Sequence, residues 1–305
     1  MRIGFLIACA AVAPSTIAAS EPLRLEPSSR WVLDYAANSC RLSRIFGKGG
    51  DTVIFLMESD GPGDMDMLVT GTPMAGGDED IPAKFIPVQV KPMKGLAAKS
   101  TSTGEPAILW SRVNLYPDDV AAKKEKAAAE DKAHRGVRPP PRDLAEVAAD
   151  KLRRHEFATK VSGVEIEARP GHSVILETGS LGQAIETFDE CTRDSLRDWG
   201  VDPDLEDKIV RPIWAPNVAQ WFRPDDYPRD MLDQGQQSVV KVRVLVDASG
   251  RVTKCTSLSH FKAPEFNQVV CNNFTKRAKF QPAELADGTK VASYFAMQIN
   301  WRIAH

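Results

Sequence analysis

The sequence predicts an α+β protein, with an N-terminal, mainly antiparallel β domain with helices and a smaller C-terminal β-β-α-β domain. Three observations predict it. The chain has 305 residues, enough for about two domains at roughly 100–200 residues each. Short runs of β-forming residues, punctuated by Gly, Asn, Asp and Pro, fill residues 30–112. A period-two alternation returns after residue 236 and leads into a helix with apolar residues at four-residue spacing. Hydrophobic residues make up 43% and charged residues 26%, which permits a sizeable core and excludes a disordered polyelectrolyte. With 39 basic against 41 acidic residues the net charge is −2, which argues against nucleic acid as an electrostatic partner.

Residues 1–20 are read as a signal peptide rather than fold. Met1-Arg2 precedes a mostly apolar stretch, Ile3 to Ala13, then Pro14 and the small residues Ala18, Ala19 and Ser20. At about 1.5 Å per residue that stretch is too short for a hydrocarbon core of about 30 Å, so a retained anchor is the weaker reading. Leu6-Ile7-Ala8-Cys9 offers a lipoprotein box as an alternative, but Cys9 stands too early to leave a full apolar stretch ahead of it. No other run approaches the roughly 18–20 apolar residues of a membrane span.

Export gives the remaining cysteines a use. Cys40, Cys191, Cys255 and Cys271 are an even set, as two disulfides in an oxidising compartment require. Four cysteines allow three connectivities. Spacing favours Cys255–Cys271 as a local bridge, which leaves Cys40–Cys191 as a long one. Metal binding is disfavoured, because there is no CxxC and His134, His155, His172, His260 and His305 are scattered.

In the N-terminal domain, residues 21–200, strands are expected at Arg30–Asp34, Arg41–Phe46, Thr52–Met57, Met65–Thr70, Phe85–Val90 and Ala107–Val113. Pro82, Pro87 and Pro92 restrict the fifth to an edge or an irregular strand. A helical insertion covers 118–158. Its first part, Asp118 to Arg135, is rich in Ala, Lys and Glu and has no face to bury. Arg138-Pro139-Pro140-Pro141 is a stiff joint. Asp143 caps a second helix with Leu144, Val147, Leu152 and His155 near one face. Val161–Ala168 and Ser173–Thr178 are strands. The helix Leu181–Trp199 carries Cys191 on its apolar face, towards the β assembly in which Cys40 lies. The Pro-rich stretch 201–226 is a linker, with Trp214, Trp221 and Phe222 tacking it to a domain surface.

In the C-terminal domain, residues 227–305, Val240, Val242, Val244 and Val246 alternate with Lys241 and Arg243 on the opposite face. Ala248-Ser249-Gly250 turns the chain, and Arg251–Leu258 returns. A helix opened by Pro264 places Phe266, Val270, Phe274 and Ala278 on one side. A last strand, Val291–Trp301, puts Phe295, Met297, Ile299 and Trp301 on one face.

Tyr227-Pro228, Gly235, Val240 through Asp247, Ser249-Gly250-Arg251-Val252, Phe280-Gln281-Pro282-Ala283 and Gly288 occur in the order and spacing of one family. On these residues the module resembles the C-terminal domain of the TonB family, over about residues 218–305. It departs at Ser238, where a second glycine is usual, at Ala278, where an aromatic is frequent, and at the two cysteines. The resemblance implies a periplasmic location and a protein or peptide partner, such as an outer-membrane receptor. It also implies recognition by strand addition on the final strand and a link to transmembrane transport. The residues it marks are Tyr294, Ala296, Gln298 and Asn300 on that strand, and Tyr227 at the start of the domain. Transducers of this family carry a membrane helix and a Pro-rich spacer where this chain has a cysteine-bearing domain. A structural, envelope-interaction role, with the fold as a scaffold, is therefore the alternative.

No cofactor, metal or catalytic residue is expected, and the chain is not read as an enzyme. Glu177-Thr178-Gly179-Ser180 resembles an aspartic-protease motif, but Glu replaces the catalytic aspartate and Ser180 serves better as a helix cap. His172 and Ser173 are strand neighbours pointing to opposite faces. Asp225-Asp226 reads as a solvated turn rather than a metal site.

Overall fold

The structure is a computed structural model and describes residues 21–303, except 37, 64, 101–102, 114, 134–136 and 259–263. Residues 1–20, read above as a signal peptide, with Cys9, and His134, His260 and His305, lie outside the described residues.

The N-terminal domain is built on strands β1 (Leu23–Leu25), β2 (Val32–Tyr35), β3 (Cys40–Phe46), β4 (Val53–Ser59), β5 (Asp66–Thr70), β6 (Ile81–Ile86), β7 (Met93–Lys99), β8 (Pro106–Trp110), β9 (Gly163–Arg169) and β10 (His172–Leu176). They form one sheet in the order β1-β10-β9-β6-β7-β8-β5-β4-β3-β2, antiparallel except where β1 runs parallel to β10. The segment after β1 then crosses to β3. Pro27 bridges Phe46, Ser28 N donates to Ile45 O at 2.8 Å and Gly47 N donates to Glu26 O at 2.9 Å. The two ends of the sheet order are thereby brought together, and the sheet curls round one core. Phe46, Phe55, Met57, Phe85, Ile108 and Trp110 lie at its centre, completely buried or nearly so. The alternation that puts them there is regular in β4, where every second residue is buried.

Two of these strands escape a propensity reading. In β7, Gly95 and the Ala and Lys residues are poor strand formers. Gly95 is needed because a β-carbon there would lie 2.6 Å from the Trp110 ring, whose Nε1 donates to Ile81 O at 3.0 Å. β1 is only three residues long, too brief to show a period. The expected edge or irregular strand at Phe85–Val90 is corrected. It is β6, which begins at Ile81, lies inside the sheet between β9 and β7, and ends before Pro87. β6 pairs with β7 over 81–83 and with β9 over 83–86, so Pro82 lies outside the stretch shared with β9 and its missing N–H is tolerated.

Helices α1 (Asp118–Ala133) and α2 (Leu144–Lys160) form the insertion, and α3 (Gly182–Asp198) follows β10. The Asp143 carboxylate caps α2 by accepting from Ala145 N. The expected apolar face of α2 is corrected: Leu152 and His155 are exposed, and Phe157 and Ala158 carry the burial, because only the last turns reach the core. In α3, Ile185, Phe188, Cys191 and Leu196 share the buried face. The four cysteines pair as Cys40–Cys191, tying β3 to α3, and Cys255–Cys271, with Cα separations of 6.1 and 5.5 Å.

Residues 201–226 are packed rather than extended. They carry α4 (Pro203–Glu206) and β11 (Ile209–Arg211), and Ile209, Ile213 and Trp221 are buried in the C-terminal core. The prolines interrupt regular structure, but the apolar residues between them supply the burial that holds the segment down. The C-terminal domain continues with α5 (Arg229–Asp233), β12 (Ser238–Val246), β13 (Val252–Ser257), α6 (Pro264–Arg277), β14 (Ala283–Leu285), β15 (Lys290–Val291) and β16 (Ser293–Trp301). One sheet has the order β13-β12-β16 and a second β11-β14-β15. The four alternating valines of β12 are buried beneath Phe266, Val270 and Phe274 of α6. Cys255–Cys271 ties β13 to α6. The short strands β14 and β15 add to the expected β-β-α-β order, and each is too brief to show a period in the sequence.

Candidate partner-binding edge

β12 lies between β13 and β16, so among the described residues β16 ends its sheet and pairs with β12 alone, in antiparallel register from Ser238↔Trp301 to Val246↔Ser293. Period two then sorts its side chains. Phe295, Met297 and Ile299 lie opposite the buried valines and are half-buried against the α6 core. Ala296, Gln298 and Asn300 lie on the outer face and are exposed. Gln298 Nε2 donates to Asn300 Oδ1 at 2.9 Å, so these two amides already form a pair.

Tyr294 shares that face but is engaged. Its hydroxyl donates to Pro62 O at 3.0 Å, and its ring meets Trp199 edge-on at 5.5 Å. Tyr227 lies away from the edge's exposed residues. Its ring packs against Phe266 and Trp301 at 5.5 and 5.4 Å, and its hydroxyl donates to Gln236 O at 2.5 Å. Burial raises the Tyr227 phenol above its ordinary pKa. The structure thus brings Ala296, Gln298 and Asn300 together on an open edge, joins Tyr294 to the N-terminal domain and gives Tyr227 a packing role.

Sequence reasoning missed the groups that seat the domain. Arg243 is 3% exposed on the outer face of β12. Its guanidinium carbon sits 3.4 Å from the Trp199 ring centroid, and it donates to Asn38 O at 3.2 Å, Asp60 O at 3.0 Å and Asn38 Oδ1 at 3.4 Å. Burial pulls its pKa down to about 10, so it remains charged at neutral pH. Beside it, Lys241 Nζ lies 2.5 Å from Asp60 and 3.6 Å from Asp66. Burial disfavours its charged form, but the two carboxylates outweigh that and raise its pKa. A second contact is made by the Pro-rich joint. Arg138 donates to Glu284 Oε1 and Pro282 O, each at 2.7 Å, and Arg142 N donates to Val210 O at 2.7 Å. Alternating charge on a strand reads as a solvated face, so only the tertiary contacts reveal these roles.

The remaining candidates are structural. Ser180 Oγ accepts from Gly182 N at 3.3 Å, and Glu177 pairs with Arg24. His172 and Ser173 are consecutive residues on β10. Among the described residues no group of three or more His, Cys, Asp or Glu could hold a metal ion. The solvated-turn reading of Asp226 is corrected. Its carboxylate accepts from Arg223 N at 2.7 Å, Asn273 Nδ2 at 3.0 Å and both Arg277 terminal nitrogens at 2.5 and 3.0 Å. The hydrogen bonds from Arg277 come first among the causes that hold its pKa below 3.8.

Asp226→Asn is expected to weaken the C-terminal domain by about 2 kcal/mol in urea unfolding at pH 7. The folded pKa is depressed, so the carboxylate's contribution is present above 3.8 and is lost as pH falls through the folded value. The gap between variant and wild type should therefore narrow on acidification below 3.8. A gap that is constant with pH would rule out the ion pair as its source.

Among the described residues the C-terminal domain is an α+β module whose terminal strand β16 is paired on one side only. Residues 223–303 match the family model described as Gram-negative bacterial TonB protein C-terminal. The C-terminal domain is thus similar to the TonB C-terminal domain, a family of periplasmic protein-interaction modules, and the match leaves the N-terminal domain unassigned. No curated protein matches the chain. No helix among the described residues is long and apolar enough to cross a membrane.

Proposed function

We propose that the chain is an exported, periplasmic binding protein whose C-terminal domain takes an extended partner peptide on β16 by strand addition, linked to transport across the outer membrane. The observation that carries this reading is the position of β16. Nine residues long, it ends its sheet, and its outward side chains at 296, 298 and 300 are exposed. A strand laid beside it would gain main-chain hydrogen bonds for affinity, with side chains setting the register. An outer-membrane receptor segment is the expected partner.

The test is a photo-crosslinking residue at Gln298 in intact cells. Adducts with an outer-membrane receptor segment are expected, and Ala296→Pro should abolish them while the protein stays folded by circular dichroism. Adducts that persist undiminished in folded Ala296→Pro would sink strand addition. The scaffold reading is favoured by a separate observation: the N-terminal domain is docked on the outer face of the same sheet through Arg243, Lys241 and Tyr294. Absence of adducts in folded, exported protein is the outcome it expects.

A further inference from the structure

We propose that Trp199 and the Asp60–Pro62 loop latch the C-terminal sheet and close the start of β16 at Tyr294, holding the binding edge autoinhibited until the latch opens. The inference rests on β16 being the binding edge. The outer face shared by β12 and β16 runs through the rows Leu245/Tyr294, Arg243/Ala296, Lys241/Gln298 and Val239/Asn300. Its cover is one-sided. Arg243 is 3% exposed and the Tyr294 hydroxyl is held by Pro62 O, whereas Val239 at the other end is 43% exposed and Gln298 and Asn300 are open. On the opposite face, Ser293 Oγ donates to Glu206 Oε2 at 2.6 Å, so α4 holds the start of the strand from the other side.

The contact has the composition of a reversible joint. The two domains have separate hydrophobic cores that share no residue, so parting the face exposes neither. Apart from the Trp199 ring, which meets Tyr294 and Arg243, what crosses it is polar: Arg243 to the Asn38 and Asp60 carbonyls, Lys241 to Asp60, and the Tyr294 hydroxyl to Pro62 O. Each of these groups can be satisfied by water after separation, as in the polar interfaces between mobile domains. The fit is nevertheless specific. A β-carbon at Gly61 would lie 2.9 Å from the Trp199 ring, so the loop meets the indole only because residue 61 has no side chain. The second contact, Arg138 on Glu284 and Pro282, lies on the other sheet and would keep the domains attached when the latch opens.

The experiment is amide hydrogen exchange on the full mature chain, comparing wild type with Trp199→Ala and Tyr294→Phe, together with the Gln298 photo-adduct in each. In wild type, the outward amides of 293–296 should exchange more slowly than those of 298–301. Trp199→Ala should speed exchange at 293–296 about tenfold, leave 40–57 and 240–246 unchanged, and raise adduct yield severalfold. Tyr294→Phe, a milder change that removes the hydroxyl and its bond to Pro62, should move both readouts in the same direction by less. Unchanged exchange at 293–296 in both variants, or equal acceleration in both domains, overturns the latch. Faster local exchange without more adduct overturns the inhibition. Adducts absent from every protein while exchange opens locally would instead overturn strand addition on β16, and inhibition of that edge with it.

Discussion

Replacing Cys40 and Cys191 together by alanine is expected to lower the stability of the N-terminal domain by roughly 5 kcal/mol, against roughly 3 kcal/mol in the C-terminal domain for Cys255 and Cys271. The difference comes from chain entropy. The first bridge joins residues separated by 151 positions and the second by 16. A cross-link that closes a longer loop removes more freedom from the unfolded chain, though only logarithmically. Alanine is the appropriate replacement because Cys40 and Cys191 are 1% and 0% exposed, and serine would bury two hydroxyls. The bond also joins β3 to α3, which packs on β3, so its loss should loosen the helix before the sheet. Urea unfolding of the two double variants, read separately for each domain, checks this. Equal losses, or a larger loss from the short bridge, would show that the entropy of loop closure does not set the size of the effect.

Much of the C-terminal domain is legible in the sequence because its signals are local. The alternation Val240, Val242, Val244 and Val246 is a period-two pattern, and all four are buried. Cys255 and Cys271 can be paired from spacing, since a strand and the helix after it are neighbours. Helical periodicity alone places Cys191 on the buried face of α3. The rest depends on distant parts of the chain. β7 is held by its pairing with β6 and β8, with Gly95 leaving room for the Trp110 ring, and β1 by its pairing with β10 and the link from there to β3. Neither is written in the segment itself. The same holds for the site. Ala296, Gln298 and Asn300 follow from alternation along β16, whereas the burial of Arg243 depends on Trp199, Asn38 and Asp60 arriving from another domain.

Gly250→Ala is expected to destabilise the C-terminal domain by about 3 kcal/mol or more. Two of the sequence motifs meet at this residue. Gly250 lies in the turn between β12 and β13, and Phe280 opens the Phe-Gln-Pro-Ala segment after α6. Phe280 N donates to Gly250 O at 3.1 Å. A β-carbon on residue 250 would stand 2.1 Å from Phe280 O, a backbone atom that cannot swing aside. The same residue has φ +84°, which an L side chain adopts only with strain. Gly288 separates the two causes. Its φ is +85°, but nothing lies within 4 Å of the position a β-carbon would take. Gly288→Ala should therefore cost only the conformational part, about 1–2 kcal/mol. Urea unfolding followed by the fluorescence of Trp221 and Trp301, both in the C-terminal core, measures the two variants side by side. A clear excess for Gly250→Ala means that the glycine and the Phe-Gln-Pro-Ala segment are kept in register by direct contact. Equal losses would mean that the turn alone requires Gly250 and that Phe280 can retreat, leaving the joint occurrence of the two motifs without that explanation.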